Sequence, residues 1–132
     1  MLVYPDTCMV IYAVERHAEF ASRLHEAWVR SAYPKLAVSE LTRLECRVGR
    51  LRLQDASLLG RYEHFFASPG LFWAALSRSV FELATELRAR HRPKTPDALH
   101  LAAAIEAGCD EFWTNDHRLD AAASGHLRTV TL

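Results

Sequence analysis

Five short apolar runs recur along the chain with helix-patterned stretches between them, and this alternation narrows the fold more than any other feature. The runs are Leu2-Val3-Tyr4, Leu36-Ala37-Val38, Leu71 to Leu76, Glu111-Phe112-Trp113-Thr114 and Arg128 to Leu132. Strands joined through helices lie parallel, and a parallel sheet is covered on both faces. The expected fold class is therefore α/β: a three-layer α/β/α domain around a mainly parallel central sheet of four to five strands. No repeat, low-complexity segment or linker interrupts the 132 residues, so residues 1-132 are read as one domain.

Periodicity and punctuation place the helices. Pro5-Asp6-Thr7 ends the first strand, and Met9 to Ala13 reads as a helical turn. A helix from about Ala18 to Ala32 sets Phe20, Leu24 and Trp28 on one face. Ser39 caps a helix with Leu41, Leu44, Val48 and Leu51 along one side, Ala56 to Ala67 form another, and Ser77 caps one running to about Arg90. The most sharply marked helix is the stretch Thr95 to Ile105: Thr95 suits the N-cap, Pro96 the first helical position, and an alanine-rich run continues until Gly108. At about 100° per residue, Asp97 shares a face with Leu101, Ala104 and Gly108, the face such a helix buries.

Sixteen basic and sixteen acidic residues cancel, which removes the field expected of a protein that coats nucleic acid but leaves room for a local basic rim. Nearly all the cations are arginine, suited to bidentate phosphate contact, with Lys35 and Lys94 the lysines. Cys8, Cys46 and Cys109 are odd in number and widely spaced, which speaks against a zinc knuckle or a disulfide framework and for small buried residues of a reducing compartment. The apolar run from Cys8 to Val14 is too short for export or membrane insertion, so the expected location is cytoplasmic, with no membrane partner.

Four acids stand out against this frame. In parallel sheets the ligand crevice lies beyond the carboxyl ends of the strands, where Asp6 and Asp116 both fall. Glu45 lies about 40° from Leu41 at the margin of its helix's apolar stripe and has no basic neighbour three or four residues away. Glu40, with Arg43 three residues on, reads as an ordinary surface acid. Asp97 opens its helix. Carboxylates gathered on one rim cannot all stay ionised without a cation, and hard oxygen donors suit Mg²⁺ or Mn²⁺. One or two such ions activate water and hold the oxygens of an in-line displacement at phosphorus, the chemistry of phosphodiester hydrolysis.

The segments Asp6-Thr7, Val38-Ser39-Glu40-Leu41-Thr42-Arg43-Leu44-Glu45, Thr95-Pro96-Asp97-Ala98-Leu99-His100-Leu101-Ala102 and Thr114-Asn115-Asp116 together resemble the PIN-domain family, and more closely the VapC toxins of bacterial toxin–antitoxin pairs. The resemblance runs through essentially the whole chain. It implies a Mg²⁺- or Mn²⁺-dependent endoribonuclease that cuts RNA, a cognate antitoxin that blocks the site, and a homodimer. By matching position, Asp6, Glu45, Asp97 and Asp116 become the metal-binding catalytic acids. Thr7 and Thr114 orient a carboxylate or water, Asn115 assists at the phosphate, and Asp120, one turn beyond Asp116, shares or replaces the fourth acid. Arg16, Arg43, Arg47, Arg92, Lys94 and Arg118, all within a few positions of the acids, are candidates for RNA phosphate contacts. Trp73 and Trp113 read as core residues, and His100 as covering the core edge. Exposed apolar residues on the first two helices offer a dimer face. Two other functions remain compatible with these residues: a nuclease acting on DNA or a small phosphate ester, and a catalytically silent module whose acidic pocket receives a partner's arginine.

Overall fold

The computed structural model describes residues 1–132 and centres on a wholly parallel five-stranded sheet. Its strands are β1 (Leu2–Pro5), β2 (Lys35–Val38), β3 (Phe72–Trp73), β4 (Glu111–Trp113) and β5 (Arg128–Val130), in the spatial order β3-β2-β1-β4-β5. Val3 of β1 pairs with Leu36 on one side and Glu111 on the other. The chain lays β2 and β3 to one side of β1 and later strands to the other, so the direction of winding switches between β1 and β4. The crevice beyond their carboxyl ends is where such sheets bind ligands.

Seven helices cover the sheet: α1 (Thr7–Val14), α2 (Phe20–Arg30), α3 (Glu40–Arg52), α4 (Ala56–Phe66), α5 (Arg78–His91), α6 (Thr95–Glu106) and α7 (Asp120–Ala123). Strand alternation divides the core into two sides. Tyr4, Ala37 and Phe112 point to one side, where they join Val80, Ala84 and Leu87 of α5 and Ala98, Leu101 and Ala102 of α6. Val3, Val38 and Trp113 point to the other, towards Val10 of α1, Ala27 of α2, Cys46 of α3 and Tyr62 and Phe66 of α4. The alanines of α6 let it lie close against α5, and this helix carries Asp97 in its first turn. A polar clip fixes the other end of α1: Glu15 accepts from Arg50 and from the Tyr62 hydroxyl, and Arg61 donates to the Val14 carbonyl.

The three-layer parallel reading is borne out, and several local expectations are corrected. Lys94, not Thr95, is the N-cap of α6; Thr95, Pro96 and Asp97 are its first three residues, and no side chain caps it. Proline is tolerated at the second position because first-turn N–H groups lack helical partners in any case. The strand expected over Leu71 to Leu76 shrinks to two edge residues, leaving Trp73 38% exposed rather than buried. Leu44, Val48 and Leu51 of α3 face solvent while Thr42 and Cys46 face the core. Periodicity detects an apolar stripe without saying what it meets. Most of the exposed large apolar residues therefore lie on α3, β3 and α5 rather than on the first two helices. Cys46 and Cys109 are buried as expected, but Cys8 is exposed. The turn His117–Leu119 and the short α7 carry no sequence signal strong enough to predict them. No helix is long and apolar enough to cross a membrane.

Candidate active site

The site is assembled at the carboxyl ends of β1 and β4. Asp6 leaves β1 in extended conformation and caps α1, its Oδ1 accepting from the Met9 N–H at 2.9 Å. Its Oδ2 accepts from the Thr114 hydroxyl at 2.6 Å, and the same Thr114 oxygen accepts from the Asp116 N–H at 3.0 Å. Thr114 is 1% exposed and thus ties the first acid to the fourth. Burial pushes the Asp6 carboxyl above its ordinary range; its two hydrogen bonds pull the other way, and the charge of Asp97 adds to the rise.

Glu45 reaches the site from α3, whose start is fixed by a capping box between Ser39 and Thr42. Its Oε1 accepts from the Thr7 hydroxyl at 2.8 Å and from His100 Nε2. Burial works against ionisation of Glu45, but the hydrogen bond and charge of His100, with the Thr7 hydroxyl, outweigh it and hold the carboxyl below its ordinary range. Asp97, at the third position of α6, accepts no hydrogen bond from any protein group. Burial and then the charge of Asp116 raise its pKa. Asp116 caps the turn His117–Leu119 and is gripped by Arg118 through Nε at 2.8 Å and Nη2 at 2.7 Å, which keeps its carboxyl low.

Asp6, Asp97 and Asp116 line the cavities at this crevice, whereas Glu45, held by Thr7 and His100, lines neither of the two. Burial, and then the charges of all four acids, push the Cys8 thiol up. Two cavities share Asp116 and Arg118. One, of about 340 Å³, is lined by Asp6, Cys8, Tyr12 and Asn115 among others; the second, of about 350 Å³, adds Asp97 and the basic residues His91, Arg92 and Lys94. The donor set is all hard oxygen, the class that suits Mg²⁺ or Mn²⁺. No three of these side chains form a ready ligand cluster, so an ion here would retain several waters, as Mg²⁺ commonly does.

The chain's similarities to known proteins fit this geometry. The family model described as PIN domain matches residues 3–125. The chain belongs to the PIN domain family. Among solved structures, this PIN domain is similar to VapBC2 from Rickettsia felis bound to a promoter DNA fragment, with 17% identity, a TM-score of 0.77, and coverage of 99% of this chain and 98% of the other. A toxin–antitoxin complex from Klebsiella pneumoniae is 25% identical at TM-score 0.70, over 98% and 96% of the two chains. VapC20 from Mycobacterium tuberculosis, described as a sarcin–ricin loop cleaving toxin, is 16% identical at TM-score 0.75, over 96% and 98%. No curated protein matches significantly by sequence.

The remaining candidates of this PIN domain divide. Arg92, Lys94 and Arg118 line the acidic cavities. Arg16 instead lines a separate basic hollow with Arg61 and His64, while Arg43 and Arg47 are half-buried on α3 and line none of these cavities. The Asn115 side chain accepts from the Leu132 N–H at 2.9 Å, tying down the C-terminus. Asp120 accepts from Thr129 at 2.9 Å, lies 3.5 Å from His117, and lines neither cavity. Glu40 is exposed, in keeping with an ordinary surface acid. Sequence reading missed the polar chain behind Glu45, which runs from Ser39 and Thr42 through Tyr4 to His100. Its signal was the hydroxyl pair at the capping box beside a histidine one turn after Asp97.

Proposed function

We propose that this PIN domain is a metal-dependent endoribonuclease toxin of the VapC type, with residues 1-132 acting as one catalytic unit in the cytoplasm. The observation that carries the reading is the placing of Asp6, Asp97 and Asp116 along adjoining cavities at the strand-switch crevice, beside a rim of Arg92, Lys94 and Arg118, with Glu45 held by Thr7 and His100. Support comes from the toxin–antitoxin assemblies and the sarcin–ricin loop cleaving toxin that share its fold. A bound Mg²⁺ or Mn²⁺ would supply an activated water and charge neutralisation at the phosphate.

The protein's own residues prepare that chemistry. Thr114 and the Met9 N–H hold Asp6, Thr7 and His100 hold Glu45, and Asp97 presents an oxygen pair without protein partners. Arg118 releases Asp116 and moves to the substrate phosphate, joined by Arg92 and Lys94, the bidentate guanidinium geometry suiting that transfer. The partners are RNA, an antitoxin that covers the acidic crevice, and a second copy of the chain; the exposed stripe Leu44, Val48 and Leu51 is the proposed contact between copies.

Cleavage of total RNA by purified protein, with Mn²⁺ and with a chelator, tests the reading: fragments that require the metal support it. One observation favours a second reading. Arg118 pairs with Asp116 at 2.7 Å, the kind of contact a partner's arginine would make in a silent binding module. Absence of turnover from a folded protein free of any antitoxin, on RNA and on DNA alike, selects that module.

A further inference from the structure

A chain of buried polar groups runs from the core to the rim. Tyr4, Ser39 and Thr42 are fully buried and His100 is 4% exposed. The Tyr4 hydroxyl lies 2.9 Å from Ser39 Oγ, 3.3 Å from Thr42 Oγ1 and 2.7 Å from His100 Nδ1. The other ring nitrogen of His100 contacts Glu45 Oε1 and lies 3.3 Å from Thr7 Oγ1.

The donor bookkeeping has a consistent solution. Thr42 Oγ1 accepts from the Ser39 N–H and Ser39 Oγ from the Thr42 N–H, leaving both hydroxyl protons free for the Tyr4 oxygen. The Tyr4 hydroxyl, like any tyrosine's, keeps its proton at neutral pH. It donates to Nδ1 of a neutral ring, or accepts from Nδ1 when the ring is charged and sends its own proton to a hydroxyl. In both cases the ring cannot flip without losing Tyr4, and Nε2–H faces the ionised Glu45. Oε1 then has two donors, Thr7 and His100, and Oε2 has none from the protein.

A core position next to Phe112, whose ring stacks on Tyr4 at 5.5 Å, would take phenylalanine without the cost of burying a hydroxyl. Half-satisfied networks of this kind cost stability, and complete ones fix a geometry. We infer that Tyr4 and His100 are positioning residues for Glu45, locking its carboxylate through Oε1 so that Oε2 alone is presented to the divalent ion or its waters. The inference rests on the metal-site reading above. Groups behind a metal-binding side chain commonly change metal affinity about 10–100-fold when removed.

The test is Mn²⁺ titration calorimetry on the full chain and its variants, with circular dichroism to establish folding. His100→Leu is expected to lower Mn²⁺ affinity about tenfold or more, and Tyr4→Phe severalfold. His100→Gln, whose amide can still donate to Glu45, should recover most of the loss. Val80→Ala, a core truncation on α5, a helix that carries none of the four acids, should lose stability and retain Mn²⁺ affinity. If His100→Leu does not fold, Tyr4→Phe and His100→Gln decide. Affinities within about twofold of the parent in both Tyr4→Phe and His100→Leu, or an equal loss in Val80→Ala, overturn the inference. Absence of Mn²⁺ binding by the parent protein overturns the metal-site reading itself and leaves the relay a purely structural element.

Discussion

Replacing Thr114 by valine removes one hydroxyl from a side chain that keeps its shape and branching, and the structure sets the size of the loss. The lost interaction is a 2.6 Å hydrogen bond to the part-buried carboxylate of Asp6. A hydrogen bond to a charged group contributes about 1.5–3 kcal/mol. At roughly 2.1 cal/mol/K of unfolding entropy per residue, a chain of this length loses ~3.5 °C of melting temperature per kcal/mol, giving a fall of about 5–11 °C. The pH dependence has a definite sign. Asp6 binds its proton more tightly in the folded chain than in the unfolded one, so ionisation works against the fold as pH rises through the carboxylate range. Thr114 offsets part of that penalty. On protonation the bond becomes a neutral pair contributing about 0.5–1.5 kcal/mol, so the cost of Thr114→Val should roughly halve near pH 4. Urea unfolding of both proteins in chelator at the two pH values measures this. A loss under about 0.5 kcal/mol at neutral pH, or one that grows on acidification, would refute the assignment of Thr114 as the donor that holds Asp6.

Other perturbations separate structure from chemistry. Arg118→Ala frees Asp116 Oδ2 and leaves Oδ1 only the backbone N–H of residue 118, so Mn²⁺ should bind severalfold more tightly while RNA binding weakens and its salt dependence falls by about one charge, read by calorimetry and by filter binding at several salt concentrations. The same variant should remove the Arg118 side chain's share of the stabilisation that Asp116 provides above its unfolded pKa and loses as pH falls through its depressed folded value, so the acid limb of a thermal-stability profile should shallow. Glu15→Gln breaks the clip between α1, α3 and α4 and should cost about 1–3 kcal/mol in urea unfolding at neutral pH, with Mn²⁺ affinity unchanged. That cost should fade as pH drops through the carboxylate range, because burial raises the Glu15 pKa but the Arg50 and Tyr62 hydrogen bonds outweigh it and leave the carboxyl below its ordinary value.

The sequence made the frame legible because the frame depends on periodicity. Alternating Val3 and Tyr4, Ala37 and Val38, Phe112 and Trp113 announce buried parallel strands, and Ser39 and Ser77 announce the helices that follow. Asp6 and Asp116 were locatable because strand ends define the crevice. What was hidden depends on tertiary contact. Nothing local says that the stripe Leu44, Val48 and Leu51 meets solvent, that Arg118 folds back on Asp116, or that Asp120 turns to Thr129. His100 lies 55 residues from Glu45 and 96 from Tyr4, and only the folded sheet makes them one relay.

The central claim, that the acidic crevice is a metal-dependent RNA-cleaving centre, is tested most directly by cleavage of total RNA with Mn²⁺ and with chelator, comparing the parent protein, Asp97→Asn and Glu40→Gln. Fragments should need the metal, vanish with Asp97→Asn and persist with Glu40→Gln, the exposed acid outside the site. Cleavage that survives Asp97→Asn, or that proceeds equally well in chelator, would contradict it.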